Sequence, residues 1–194
     1  MRFSVKFQDS FSRGLLILRT LLGWLYIAIP QAFLMFFVGI WACILAFLAF
    51  WVVLVTGKYP ESWFNFQVKF INWSSRVNAS LLNLTDEYPA FLPRGESAAV
   101  SFTAERPAKI SRGMTLVRAL FGIIFIGIPH GFCLFFRNIG TAVLALLAWF
   151  AVLFTGKYPE KWHAFNVGSF RWGNRVALYW GNMTDVYPPF SGKE

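Results

Sequence analysis

The stretch Thr56-Gly57-Lys58-Tyr59-Pro60-Glu61 occurs a second time as Thr155-Gly156-Lys157-Tyr158-Pro159-Glu160. At the same offset of 99 residues, positions 12–91 align with positions 111–190 without a gap, and 37 of these 80 positions are identical. Self-similarity at one fixed period indicates a duplicated structural unit. We therefore expect two tandem repeats, residues 1–91 and 111–194, joined by a linker over residues 92–110.

The repeated stretch has the composition of a turn between two helices. Gly57 can end a helix in the left-handed conformation, and Pro60 is suited to the start of the next helix. Glu61 would lie in the first turn, where the helix dipole favours a carboxylate. Lys58 and Tyr59 are residue types that favour the membrane interface. The alternative is a headgroup or partner site that includes Lys58, Tyr59 and Glu61, with Lys157, Tyr158 and Glu160 as their counterparts.

A long apolar stretch precedes each turn, at Leu15–Val55 and Met114–Phe154. A single membrane span needs only about 20 residues, and each stretch contains one proline, Pro30 or Pro129. Since proline disrupts a helix interior, the sequence predicts two helical hairpins, over residues 14–55 and 113–154. Each hairpin would be transmembrane or re-entrant.

The composition favours an integral membrane protein. Hydrophobic residues make up 57% of the chain and charged residues 14%, whereas soluble domains have about 45–50% apolar and about 25% charged residues. The net charge is +9, and most basic residues lie outside the apolar stretches. By the positive-inside rule, both termini and the regions after each hairpin are expected in the cytoplasm. The predicted location is a bacterial inner membrane, with multi-pass topology.

The segments that follow the turns have helical periodicity. Aromatic and aliphatic residues recur every three or four positions over residues 61–84 and 160–183, with basic and amide residues on the other faces. This pattern predicts amphipathic helices in the membrane interface, and packing on a partner domain is the alternative. Alternation of apolar and polar residues near Phe3–Phe7 and Ser101–Glu105 predicts two short paired strands. The fold class is thus all-α, with these strands as the exception.

Several polar residues fall where they could bind lipid or a partner. Arg19 and Arg118 lie inside the apolar stretches, and we expect them to contact anionic phospholipid or to extend towards the interface. Arg137 breaks the repeat and is expected to extend outward. An alternative role for Arg76 and Asp86 is an ion pair that folds the tail onto the amphipathic helix. The full candidate set is Arg19, Lys58, Tyr59, Glu61, Trp73, Arg76, Asp86, Arg118, Lys157, Tyr158, Glu160, Trp172, Arg175 and Asp185.

Catalytic and metal-binding patterns are missing from the sequence. It has two histidines, His130 and His163, and two cysteines, Cys43 and Cys133, without the spacing of a metal site or a nucleophilic triad. We therefore expect no enzymatic activity, no cofactor and no metal. The basic excess is assigned to a membrane surface and not to nucleic acid.

The turn motif, the Trp…Arg-Val helix (Trp73, Arg76 and Val77) and the tail Thr85-Asp86-Glu87-Tyr88-Pro89-Ala90-Phe91 together resemble a bacterial membrane-protein family, domain of unknown function 4389. The resemblance covers nearly the whole chain, once per repeat. It implies a bacterial inner-membrane protein and supplies no activity, ligand or catalytic residue.

These observations lead to three functional hypotheses. The first is a non-enzymatic accessory or scaffold subunit that binds an integral membrane protein, or a second copy of itself, or organises lipid. The second is membrane shaping, because paired hairpins with amphipathic helices are similar in layout to reticulon-like proteins. The third is a small transporter or channel, which would require a polar stripe along the apolar helices.

Overall fold

The computed structural model describes all residues 1–194 and is 67% helical. Two long apolar helices alternate with two shorter helices, and a two-stranded sheet completes the fold. The elements are strand β1 (Arg2–Val5), the first long helix (Arg13–Thr56), the first amphipathic helix (Glu61–Leu81), strand β2 (Val100–Thr103), the second long helix (Arg112–Thr155) and the second amphipathic helix (Glu160–Trp180). The tandem repeats predicted from the sequence are confirmed.

The predicted hairpins, residues 14–55 and 113–154, are wrong. Each apolar stretch is one continuous helix of 44 residues. In the first long helix a π-helical turn, Trp24–Ala28, joins the α-helical segments Arg13–Gly23 and Ile29–Thr56, and the backbone keeps right-handed helical dihedrals on both sides of the junction. The second long helix has the same π-helical turn at Ile123–Gly127. No turn therefore separates two arms at Pro30 or Pro129.

The π-helical turn and the tail explain how the helix continues past proline. Pro30 has no N–H, so the carbonyl of Tyr26 loses its helical partner. A π-helical turn accommodates an insertion in the hydrogen-bond ladder, and the Tyr88 hydroxyl donates to the Tyr26 carbonyl at 3.0 Å. In the second repeat, Pro129 leaves the Phe125 carbonyl free, and Tyr187 donates to it at 2.8 Å.

The repeated turn motif has the predicted geometry. Gly57 has φ of 68° and Gly156 has φ of 73°, the left-handed conformation that glycine adopts at low cost. The Gly57 N–H donates to the Val53 carbonyl at 2.7 Å and closes the last helical turn. The first amphipathic helix then begins at Glu61, directly after Pro60.

The two strands pair across the repeats, as predicted. β1 and β2 are antiparallel, with Phe3 opposite Phe102 and Val5 opposite Val100. These four side chains are buried in the hydrophobic core. A strand from the start of the chain thus pairs with one from the linker and ties the repeats together.

The two long helices join at their ends in antiparallel fashion. Arg13 Nη2 donates to the Phe154 carbonyl at 3.0 Å, and Trp149 Nε1 donates to Thr20 Oγ1 at 2.8 Å. At the other end, the Ile110 N–H donates to the Gly57 carbonyl at 2.8 Å. The start of each long helix therefore lies beside the end of the other.

The amphipathic helices pack inside the protein, so the prediction that their aromatic faces lie in the membrane interface is wrong. Phe64, Trp73 and Val77 are buried. Gln67 Nε2 donates to the Ala42 carbonyl of the first long helix at 2.6 Å. The long helix is apolar on both faces, and the amphipathic helix covers only the inner face, with contacts near Gln31 and Ala42. The predicted ends at residues 84 and 183 are three residues too late.

Each long helix has two different faces. In the first, the buried face follows a helical stripe along its length: Leu16, Arg19, Gly23, Ile27, Gln31, Ala42, Leu45, Ala49 and Val53. The outer face is exposed and apolar: Phe33, Phe36, Phe37, Ile40, Trp41, Ile44, Phe47, Leu48, Trp51 and Val55. By length and composition, both long helices could cross a membrane.

The continuous helix can be tested by a distance measurement between spin labels at Leu22 and Ile40, both exposed, after replacement of Cys43 and Cys133 by alanine. These positions lie on either side of Pro30. In a continuous helix they are about 27 Å apart, from a rise of about 1.5 Å per residue. In a hairpin they would come within about 10 Å, the spacing of packed helices. We expect the longer distance, and a dominant short distance would contradict it.

Candidate functional site

The arginines inside the long helices bind the protein's own tails, residues 85–91 in the first repeat and 184–190 in the second. Arg19 is 8% exposed and donates to the carbonyls of Thr85, Asp86 and Glu87 at 2.5, 2.6 and 3.1 Å. Arg118, at 3% exposed, pairs with Asp185 at 2.5 Å. The expected extension of these side chains to the interface is therefore wrong. Their charges instead hold the tails against the long helices.

The guanidinium of Arg118 makes further contacts in the second repeat. Nη1 donates to Asn182 Oδ1 at 3.2 Å, and Cζ lies 4.1 Å from the centre of the Tyr179 ring. A cation over an aromatic face is stabilised by the quadrupole of the ring. The buried arginine thus has different partners in the two repeats: main-chain carbonyls in the first, and a carboxylate and an aromatic ring in the second.

The Arg76–Asp86 ion pair, one of the two roles left open for these residues, does not form. Arg76 is 1% exposed and donates to the carbonyls of Gly95 and Leu92, the latter at 2.8 Å. Burial lowers the pKa of Arg76, and the negative charge of Glu87 partly opposes this shift. Arg175, its counterpart, is half-buried and donates to the Ser191 carbonyl at 3.2 Å. Both arginines therefore bind the main chain of the segment that directly follows the tail of their own repeat.

The two tail aspartates act at the starts of the long helices. Asp86 Oδ2 accepts the Ser12 N–H, and Asp185 Oδ2 accepts the Ser111 N–H, both at 2.7 Å. Ser12 and Ser111 are the N-cap residues of these helices. A carboxylate at a helix N-terminus is favoured by the helix dipole. The repeated aspartate thus fixes the tail to the beginning of its own long helix.

The repeated tryptophan is a buried hydrogen-bond donor. Trp73 Nε1 donates to Gln31 Oε1 at 2.7 Å, and Gln31 Nε2 donates to the Pro89 carbonyl at 2.6 Å. In the second repeat, Trp172 Nε1 donates to His130 Nδ1 at 3.0 Å. The residue after each helix-interior proline is therefore polar in order to accept from the tryptophan.

The tyrosines of the turn motif lie in the core and not in an interfacial belt. Tyr59 and Tyr158 are 1% and 3% exposed, and burial raises the pKa of each to about 12. The Tyr158 hydroxyl accepts from Asn166 Nδ2 at 2.9 Å, which lowers its pKa against the larger effect of burial. Neither ring is available to a headgroup.

The charged residues of the turn motif remain exposed. Lys58, Lys157 and Glu160 make no side-chain hydrogen bond, and the exposed Glu61 contacts the half-buried side chain of Arg106 at 3.5 Å. Because the tyrosines are buried beneath them, the structure does not assemble the predicted Lys-Tyr-Glu group into a binding site. Among the fourteen candidate residues, the structure brings Arg118 together with Asp185, and Arg19 with the main chain of Asp86. The others are distributed along both repeats without a common site.

Arg137 faces inward, contrary to the expected outward extension. Its Nε donates to Ser169 Oγ at 2.9 Å and its Nη2 donates to the Phe165 carbonyl at 3.1 Å. Its Cζ lies 4.2 Å from the centre of the Phe165 ring. The second amphipathic helix therefore accommodates this charge, which has no counterpart in the first repeat because Val38 occupies that position.

Sequence reasoning missed Gln31, Gln67, His130 and Asn166, all buried polar residues that bond across elements. One signal was present: a polar residue follows the proline of each apolar stretch, and a tryptophan recurs 42 positions later in each repeat. A buried polar residue among apolar ones needs a hydrogen-bond partner, and in each repeat the recurring tryptophan is that partner.

Replacement of Gln31 by leucine tests the tryptophan bond. The change leaves the Trp73 N–H and the Pro89 carbonyl unpaired in a buried site, and each unpaired group costs about 1–3 kcal/mol. We expect a clear fall in the thermal unfolding temperature in detergent, with partial recovery for Gln31→His, since histidine accepts from tryptophan in the second repeat. The matched control is Phe33→Leu on the exposed outer face. Equal stability of Gln31→Leu and the control would contradict the assignment.

The pH dependence of stability tests the buried His163. Its Nε2 lies 3.2 Å from the Leu84 carbonyl, and its ring packs against Phe7 and Tyr158. Burial lowers the pKa of His163, although the Leu84 bond and Glu160 act in the opposite direction. The unfolded chain, with a histidine pKa of about 6.5, then binds a proton that the folded chain does not.

The contribution of the neutral His163 to the stability of the folded protein is therefore fully present above about pH 6.5, and it decreases as the pH falls below that value. We expect His163→Gln to reduce the loss in thermal unfolding temperature between about pH 7.5 and about pH 5.5. The control is Phe33→Leu on the exposed outer face, which removes no titratable group and should leave the slope unchanged. An unchanged slope in His163→Gln would contradict the role of this residue.

The comparisons with known proteins identify a family and no function. No curated protein and no solved structure matches the chain. The model of the domain of unknown function DUF4389 matches residues 18–92 and 112–192, once in each repeat. The two matches together cover more than half of the chain, and the protein therefore belongs to the DUF4389 family, with two tandem copies of its domain.

Proposed function

We propose that this protein is a non-enzymatic accessory or scaffold subunit of a bacterial inner membrane, which binds another membrane protein or organises lipid around it. The observation that carries the proposal is the outer face of each long helix. In both helices this face is apolar, aromatic-rich and exposed, while the opposite face is covered by the protein itself. Contiguous exposed apolar surface of this extent is typical of a membrane or partner contact.

The position of the polar parts supports an arrangement with the long helices along the membrane surface. The first amphipathic helix and the tail contact the first long helix near Arg19, Gln31 and Ala42, over most of its length. If this helix crossed the bilayer, exposed Asn65 and Lys69 would enter the hydrocarbon, where polar and charged groups are costly.

With only the outer faces immersed, these groups stay in the headgroup region or in water. The strands, amphipathic helices and tails then form one layer on one side of the membrane. The basic excess of the chain favours the cytoplasmic side. This arrangement replaces the multi-pass crossing that was expected from hairpins.

The use of the polar residues supports a non-enzymatic function. Arg19, Arg76, Arg118 and Gln31 are buried and bonded to the protein's own carbonyls, carboxylates or tryptophans. These bonds hold the tails and leave no converging group for acid–base or nucleophilic chemistry. They also fill the inner faces of the long helices, which counts against a polar transport path. Membrane shaping by reticulon-like hairpins loses its basis, because neither hairpin exists.

Photo-crosslinking in native membranes tests this proposal. A benzoylphenylalanine at Phe47, which is 63% exposed on the outer face, is expected to crosslink to lipid or to one membrane protein. The same probe at Phe64, which is 1% exposed in the core, is the control. Adducts only with soluble proteins, or recovery of the chain in the soluble fraction, would contradict the proposal. A single protein adduct would identify the partner.

A further inference from the structure

A cavity of about 630 Å³ lies between the first long helix, the first amphipathic helix and the start of the linker. Phe37, Val38 and Trp41 line it from the long helix, and residues 92–94 line it from the start of the linker. Its polar side includes Asn65 and two cations, Lys69 and Arg94. Pockets of about 300–1,000 Å³ that combine apolar walls with a few polar groups are typical ligand sites.

All charged side chains that line the cavity are positive. None of the ten residues that line it is an aspartate or a glutamate. Lys69 and Arg94 make no ion pair and no side-chain hydrogen bond within the protein, in contrast to Arg19 and Arg118. Two cations that face one cavity without a counter-ion attract an anion.

The cavity also borders the outer face of the long helix. Phe37 and Trp41 line the cavity and are 55% and 52% exposed. A ligand that enters here would therefore meet cations on one side and the lipid-facing surface on the other. An anionic headgroup with acyl chains has this distribution of charge and apolar surface.

The second repeat has an internal cation at the equivalent place. There Arg137 replaces Val38 and Gly168 replaces Lys69. The Arg137 guanidinium lies over the Phe165 ring and bonds to Ser169. A β-carbon added at Gly168 would lie only 2.9 Å from Arg137 Nη2, so the space is filled. The repeat that lacks this arginine has the cavity.

We propose that the cavity between Phe37, Trp41, Lys69 and Arg94 binds the phosphate headgroup of an anionic phospholipid, with its acyl chains along the outer face of the first long helix. The inference rests on the proposed membrane association and adds to it a specific lipid site in one repeat only. The same two cations could also attract free phosphate, so the test separates the two sources.

The experiment uses the full chain in neutral detergent with phosphatidylglycerol, phosphatidylcholine or inorganic phosphate as the probe, and native mass spectrometry counts the bound molecules. We expect one retained phosphatidylglycerol per chain and much weaker retention of phosphatidylcholine. Lys69→Gln with Arg94→Gln should lower phosphatidylglycerol retention about tenfold, because each cation contributes to headgroup attraction. Lys161→Gln with Lys193→Gln removes the same charge from the second repeat and should leave retention unchanged.

A steric pair of variants tests the cavity independently of charge. Val38→Trp fills the cavity and should abolish the retained phosphatidylglycerol, whereas Ile40→Trp places the same side chain on the outer face and should not. Circular dichroism and the unfolding temperature confirm that each variant is folded. If Val38→Trp does not fold, the Lys69 and Arg94 variants carry the test.

Equal retention in the paired-cation variant and its control would overturn the proposal. Equal retention of phosphatidylcholine, or full displacement by inorganic phosphate, would overturn it as well. Flotation with vesicles of phosphatidylcholine alone separates this failure from that of the proposed function. If the chain floats but the lipid site is lost, only the site is wrong, and if it does not float, the membrane assignment fails.

Discussion

A proline in the middle of each long helix sets the constraint that the rest of the structure meets. Proline removes one helical hydrogen bond and leaves a carbonyl without a partner. A π-helical turn precedes the proline in both repeats, and a tail tyrosine donates to the free carbonyl, from Tyr88 to Tyr26 and from Tyr187 to Phe125. The tail must therefore return to the middle of the helix that precedes it.

The other repeated residues also hold the tail against the long helix. Asp86 binds the start of the first long helix, Arg19 binds the tail carbonyls about two turns later, and Gln31 joins the tail to Trp73. Each bond replaces a contact with water by a contact within the protein, and a buried polar group left unpaired would be destabilising. One face of the long helix therefore packs against the rest of the protein, and the other face is exposed and apolar.

Much of the architecture could be predicted from the sequence. The duplication, the glycine turn and the paired strands all depend on local composition or on internal repetition, and the structure has all three. The helix through Pro30 could not be predicted, because its stability depends on Tyr88, which is 62 positions away from Tyr26. The partners of Arg19 and Arg76 are also distant in the sequence. They are main-chain carbonyls, which every residue has, so no residue type identifies them.

The proposed function requires that the outer face of each long helix lie in lipid along its whole length, while the inner face packs on the protein. The most direct measurement is a nitroxide scan of residues 33–55 in bilayers, which compares collision with oxygen and with a water-soluble reagent. We expect oxygen maxima at Phe36, Ile40, Phe47 and Trp51, minima at Ala42, Leu45, Ala49 and Val53, and a period of about 3.6 residues. Water accessibility at the outer positions, or accessibility without helical periodicity, would contradict it.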